Sequence, residues 1–442
     1  MNYEKIKSVV LTLLVLVSLA FTWGIWNYQP SYQTIEDGAN ENIVNEVKIG
    51  QQRQISDLLK PTRIISHQKG QHYGTVSEQE LDWVMKEMGK WIFSEPENIS
   101  SSLNEQEFSG LLSGGDKHVE LFFSSSVPFD TLNKLISFTE SPVPNAVFNR
   151  IVITEAEQEN KAFVYFVSVK EQLVFKSEIQ ARSLKEFKQR YVASQERLEP
   201  YLSYQIPNGS LLYVREAPPV LPIQGYLRMK QIDADMFKRA LFNDPSYVKR
   251  GSSSRGEEYT DGVGLMLVNS NTGQIKYVNL AETTQAIPLN QLIEQSVEFV
   301  NEHSGWVDSY RLFQAEPNSP TISYRMFYGD FPVFNQQKTA EISQIWGQER
   351  IYQYERSTFI LSEPLPPDFE NTVMLKSGQE VLDQVMQLES IDPKLLTDIR
   401  IGYEMTLEQE DFLFLKPAWY YQHDGDWLKL VTEEEEQADG LE

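Results

Sequence analysis

The sequence predicts an α+β protein of mainly antiparallel sheet, and three observations carry that prediction. Apolar and polar residues alternate in runs such as Val119–Phe123, Phe148–Thr154, Ala162–Ser168 and Gln172–Ser177, the pattern of half-buried strands. Between them stand helical stretches such as Leu81, Val84, Met85, Met88 and Trp91, with apolar residues at three- and four-residue intervals. Leu265–Val268 and Gln274–Leu280 flank Asn269-Ser270-Asn271-Thr272-Gly273, whose Asn and Gly residues tolerate the positive φ of a hairpin loop.

The elements follow in chain order. Residues 1–7 are expected in the cytoplasm and 8–28 in the membrane. The uncharged run Ser8–Trp26 has 19 residues, about 28 Å at ~1.5 Å per helical residue, close to the ~30 Å hydrocarbon thickness. Lys5 and Lys7 precede it while Glu36, Asp37 and Glu41 follow, an asymmetry that keeps the N-terminus inside and exports the rest. A second reading is a signal peptide cut after Ser18-Leu19-Ala20; the apolar run continuing through Phe21 to Trp26 favours the uncleaved anchor. Ser8, Thr12, Ser18 and Thr22 share one side of this helix. Such a stripe of small hydroxyl residues suits close packing against a partner helix, or bonding back to its own backbone.

Residues 29–56 are polar and read as a stalk. An N-terminal exported domain is assigned to 57–180: Ser77-Glu78-Gln79-Glu80 predicts a capping box, and Pro128 is expected to open a helix running through Phe138. A middle domain, 181–285, carries the strand Leu211–Arg215, a short helix around Asp235–Leu241 and the hairpin. A C-terminal domain, 286–432, opens at Pro288 with a helix whose apolar face is Leu289, Leu292, Ile293, Val297 and Val300. Its second helix is capped by Ser377-x-x-Glu380. These last two domains read as a degenerate repeat. Glu433–Glu436 opens a solvated acidic tail, 433–442.

Composition narrows the function. The 442-residue chain has 39 Lys and Arg against 63 Asp and Glu, a formal charge of −24 that repels nucleic acid. It has no cysteine, which removes disulfides, thiolate zinc sites and thiol nucleophiles. H-E-x-x-H and G-x-S-x-G are absent. Ser66-His67-Gln68-Lys69, Ser102-Leu103-Asn104 and Lys376-Ser377-Gly378 imitate a penicillin-recognising set. Ser66 nevertheless follows an extended segment, and Ser377 reads as a helix cap. The five-residue spacing of His67 and His72 suits neither helical ligation nor a same-face strand pair. No catalytic, cofactor or metal site is expected. A competing reading, an exported sensor of a wall fragment or peptide, would place Trp306, Tyr324, Tyr328, Trp346 and Trp419 along a cleft; strand spacing favours the core for them instead.

Seven stretches stand in order along the chain: KSVVLTLLVLVSLAFTWGIWNYQP at Lys7–Pro30, PTRIISH at Pro61–His67, VELFFSSSVPF at Val119–Phe129, ALFNDPSYVKR at Ala240–Arg250, EEYTDG at Glu257–Gly262, IKYVNL at Ile275–Leu280 and KPAWYY at Lys416–Tyr421. Together they resemble the YycH family of membrane-anchored accessory proteins of the sensor histidine kinase WalK, also called YycG, in low-GC Gram-positive bacteria. The resemblance implies a single-pass protein with a three-domain exported region, its last two domains alike. It also implies a non-enzymatic regulator of cell-wall signalling, acting in a membrane complex with the kinase and the companion protein YycI.

Overall fold

The computed structural model describes Leu14, Val17, Ser18 and residues 50–431, less 113–117, 155–160, 195, 208–210, 228–229, 270, 304, 362–363, 366–370 and 409–411. Two compact units divide the chain, Met1–Val44 and Asn45–Glu442, and the fold below is that of the second. Of the expected membrane span only Leu14, Val17 and Ser18 are described, all helical. Among the described residues no helix is long and apolar enough to cross a membrane. Ser8, Thr12 and Thr22, like the acidic tail, lie outside the described residues.

Two large sheets dominate, as the alternating pattern predicts. The first contains Arg63–Gln68 (β1), Gln71–Thr75 (β2), His118–Pro128 (β3), Val147–Thr154 (β4), Lys161–Ser168 (β5), Leu173–Gln180 (β6), Glu199–Gln205 (β7) and Leu211–Arg215 (β8). Their order is β8-β7-β2-β1-β3-β4-β5-β6, with Glu97–Asn98 at the outer edge. Every pairing in this sheet is antiparallel.

The second sheet runs through Val220–Leu227 (β9), Lys249–Ser253 (β10), Gly256–Thr260 (β11), Gly264–Asn269 (β12), Gln274–Asn279 (β13), Tyr310–Glu316 (β14), Thr321–Tyr328 (β15), Phe331–Phe334 (β16), Glu341–Trp346 (β17), Ile351–Ser357 (β18), Asn371–Met374 (β19), Leu396–Glu408 (β20), Phe412–His423 (β21) and Asp426–Lys429 (β22). Its main path is β10-β11-β12-β13-β18-β17-β15-β16-β20-β21-β9-β19, with β14 on β15 and β22 on β21. The β16–β20 step is parallel. Residues 181–285 therefore contribute strands to both sheets, and β13 joins the following segment through β18.

The hairpin forms at its expected place: Asn269 pairs with Gln274, and Gly273 takes φ 66°. A Cβ at Gly273 would lie 1.8 Å from the Phe359 ring, so the position requires glycine twice over. Helix α1 (Glu78–Met88) buries Leu81, Val84 and Met88. It lies in the main core with the inward residues of the first sheet, Ile64, Val119, Leu121, Ile151 and Ile153. The other helices of seven or more residues among the described ones are α2 (Glu105–Leu112), α3 (Lys185–Tyr191), α4 (Ala234–Leu241), α5 (Leu289–Glu302) and α6 (Gly378–Gln387). α5 buries the predicted apolar face beginning right after Pro288. The apolar face of α6 packs with Val214 of β8, Ile399 of β20 and Trp419 of β21, one cluster that spans both sheets.

The helix expected from Pro128 to Phe138 is short. It ends at Leu132, because Phe138 is drawn into a parallel pairing with Phe93.

Candidate functional site

A two-residue turn creates the most unusual cluster in the molecule. Lys69 and Gly70 take φ 49° and 77°, the positive values a type I′ hairpin needs. β1 and β2 consequently pair with His67 opposite His72. On its other side β1 pairs with β3 in the register that sets His118 opposite His67. Directly opposed residues share a face, so three of the chain's five histidines stand in a row across three strands. Glu120, two residues beyond His118, joins the same face. The five-residue spacing of His67 and His72 does yield a same-face pair: the chain reverses between them.

The geometry is tight. His67 and His72 approach through their Nδ1 atoms at 2.8 Å. Nε2 of His67 lies 3.2 Å from Glu120 Oε1, and Nε2 of His118 lies 3.5 Å from the same oxygen. His67 and Glu120 are each 1% exposed and His118 is 5% exposed. These three facing atoms meet at ion-pair distance without a well-aligned hydrogen bond. Tyr213 of β8 packs on both His67 and His72, with ring centroids 5.3 Å away in each case, and donates to the Leu112 carbonyl at 3.3 Å.

Burial lowers the His67 pKa, and burial together with the neighbouring His67 lowers His72 to about 4. Burial pushes the Glu120 carboxyl up, but its contacts with His118 and His67 outweigh that and hold it at about 2. The cluster is thus a buried carboxylate facing imidazole nitrogens, a donor set that suits a transition-metal ion. The sequence carried one signal for it: His118 and Glu120 alternate on a strand while a Lys-Gly pair separates His67 from His72.

A second polar node lies on the same face of β1. Arg63 donates from Nη1 to Asp398 Oδ1 of β20 at 2.8 Å, and the Arg400 guanidinium pairs with the other carboxylate oxygen. Arg63 and Arg150 both lie over the Phe122 ring, at 4.5 and 4.0 Å from its centroid. Burial would raise the Asp398 carboxyl, but Arg400 and Arg63 hold it well below the usual carboxylate range.

The other candidates fall into the scaffold. Ser66 sits on β1 and donates to the Tyr191 carbonyl at 2.7 Å, while Ser377 caps α6. Trp306, Tyr324, Trp346 and Trp419 are buried, and Tyr328 is half-buried against Tyr226 and Tyr403. Three indole nitrogens are satisfied internally, by Asn301, Gln344 and the Lys376 carbonyl. Four of the five aromatics are core, as strand spacing favours, and Tyr328 packs against that core from its edge. An open groove of about 680 Å³ does exist elsewhere, lined in part by Arg325, Phe334, Glu341, Glu404, Trp427 and Lys429. Two ion pairs stand in it, Arg325 with Glu341 and Lys429 with Glu404, and Lys338 and Asp426 line it as well. Of the predicted helix-contact residues, Ser18 is described as helical and exposed.

Comparison with known proteins assigns the family. Residues 4–195 match the N-terminal domain of the YycH protein and residues 211–436 match its C-terminal domain. The chain belongs to the YycH family. It is 23% identical over 448 residues to the two-component system WalR/WalK regulatory protein YycH of Bacillus subtilis, covering 98% of this chain and 97% of that one. The crystal structure of YycH from Bacillus subtilis has the same fold, with a TM-score of 0.71 at 20% identity over 88% of this chain and 100% of that chain. Within this YycH-family frame, the four residues of the histidine cluster fall in the N-terminal segment and Tyr213 and Asp398 in the C-terminal one.

Proposed function

We propose that this chain is a non-enzymatic regulator of a WalK-type sensor kinase, held in the membrane by Ser8–Trp26 and acting from outside the cell in a complex that includes a YycI-type protein. The observation that carries the reading is the extent of the family match. It begins at residue 4 and so includes the apolar span, and the Bacillus subtilis relative is named as a WalR/WalK regulatory protein along nearly its whole length. The basic-in, acidic-out flanks of the span support export of the remainder. In this reading residues 57–180, 181–285 and 286–432 are the exported domains, the last two alike in topology. The Ser8, Thr12, Ser18 and Thr22 stripe packs against a partner helix. Shifting a two-state kinase by a few kcal/mol, within reach of such a contact, changes its output substantially.

The test is co-purification from membranes of the tagged full-length chain beside a version whose Ser8–Trp26 helix is replaced by an unrelated span. Recovery of the kinase and the YycI-type protein with the first, and their loss from the second, is the expected result. Retention by both moves the association to the exported surface, and recovery by neither overturns the regulator reading.

A further inference from the structure

The histidine cluster is unexplained by a regulatory role exercised through helix packing. We propose that His67, His118 and Glu120 form a binding site for one divalent transition-metal ion of the zinc class, with His72 as the residue that positions His67.

Distances come first. Zinc bonds of roughly 2.0–2.1 Å in a tetrahedron separate neighbouring donor atoms by about 3.3 Å. The two histidine-to-carboxylate separations are 3.2 and 3.5 Å, and all three donor atoms lie within 4.8 Å of one another. The three are held by adjacent strands of one sheet, so their spacing is fixed by backbone pairing rather than by loop conformation.

Hydrogen bonding is the second argument. Nε2 of His67, Nε2 of His118 and Oε1 of Glu120 converge in the buried interior without a well-aligned hydrogen bond, and buried polar atoms left so are rare and call for a partner. When His67 donates its Nδ1 proton to His72, its Nε2 lone pair faces the carboxylate oxygen. Two acceptors then confront each other, and a cation between them removes the conflict. A metal-bound histidine characteristically donates its other ring N–H to a fixed acceptor; His72 Nδ1, 2.8 Å away, stands in that place.

The donor chemistry selects the ion. Two imidazole nitrogens and one carboxylate oxygen suit zinc and its neighbours; calcium and magnesium require six or more oxygens, and copper(I) prefers sulfur. Three protein donors leave a fourth position for water or an anion. Arg150 and Arg63, which share the Phe122 ring beside Glu120 on this face, favour an anionic fourth ligand over a neutral one.

The untagged full-length chain, stripped with a chelator and desalted, would be equilibrated with zinc chloride, and bound metal counted by mass spectrometry after gel filtration. One zinc per chain with a raised Tm is expected. Glu120→Gln and His118→Asn should each weaken binding at least a hundred-fold, and His72→Phe about 10–100-fold, as loss of an orienting partner does. No zinc beyond that held by the denatured chain overturns the proposal. Undiminished binding by a folded double variant of Glu120→Gln and His118→Asn overturns it as well. X-ray absorption of zinc in the wild-type chain supplies the check that needs no variant: two imidazoles and a carboxylate support the site, and any other ligand set refutes it.

Discussion

Arg63 and His67 stand on one face of β1 with Ile65 between them, and each reaches a buried carboxylate, yet the two carboxylates are treated in opposite ways. Asp398 has a guanidinium on each oxygen. Glu120, equally buried, offers an oxygen to two imidazoles at ion-pair distance without a well-aligned hydrogen bond. Guanidinium carries a permanent charge and a planar fork that fits a carboxylate, so a pair of them closes the site. Imidazole changes its charge readily and keeps a lone pair, so a carboxylate facing two of them remains open to a cation. The first arrangement fastens β1 of one sheet to β20 of the other; the second assembles ligands.

That contrast breaks most visibly at Asp398. Asp398→Ala leaves Arg63 and Arg400 buried without their shared anion, and should lower stability by about 3–5 kcal/mol. Urea unfolding measures it, and a loss below about 1 kcal/mol would show that the node does not fasten the sheets. A third carboxylate, the half-buried Asp308, sharpens the comparison, because it has too little opposing charge. Burial pushes its pKa up to about 6 against the pull of Arg356, the Leu361 N–H and Arg53. Its folded pKa lies above the unfolded value of ~3.9, so its contribution is full below pH ~4 and is lost as the pH rises through about 6. Asp308→Asn should remove that slope and add on the order of 2 kcal/mol at pH 7. Asp398 has the opposite sign: its lowered pKa gives a contribution present above pH ~4 and lost as the solution is acidified. Unfolding curves at pH 4 and pH 7 for both aspartate variants separate the two cases; parallel pH profiles would contradict the assignment.

The same competition among carboxylate partners decides what was legible in the sequence. Alternation in β3, β4 and β5, the Asn269–Gly273 turn and the Leu289–Val300 face are local patterns, and the structure realises them. The histidine cluster depends on which strands neighbour β1, a tertiary fact that no local period carries. Its local components are the Lys69-Gly70 turn and the His118-x-Glu120 alternation. The Asp398 node joins residues separated by 335 positions and has no sequence signature at all. Phe138 illustrates the reverse failure, a helical pattern overridden because pairing with Phe93 offered its backbone a partner.

The smallest expected effects come from two copies of one motif, Ser-x-x-Glu. At Ser377 the capping box forms: Glu380 Oε2 accepts from the Ser377 N–H at 2.8 Å, and the serine hydroxyl accepts from the Glu380 N–H. At Ser77 the side chain makes no cap. Glu80 is taken instead by Arg190, through two bonds of 2.6 Å, and by the Tyr191 hydroxyl. The first-turn N–H of Glu78 donates instead to Asp330 Oδ1, from the turn between β15 and β16, at 2.7 Å. A carboxylate within reach of a guanidinium abandons the helix end, and a distant aspartate fills the vacancy. Ser377→Ala should therefore cost about 1 kcal/mol, and Asp330→Ala a comparable amount, whereas Ser77→Ala should cost no more than a few tenths. Equal losses at Ser77 and Ser377 by thermal unfolding would mean that sequence, rather than the competition for Glu80, sets the cap.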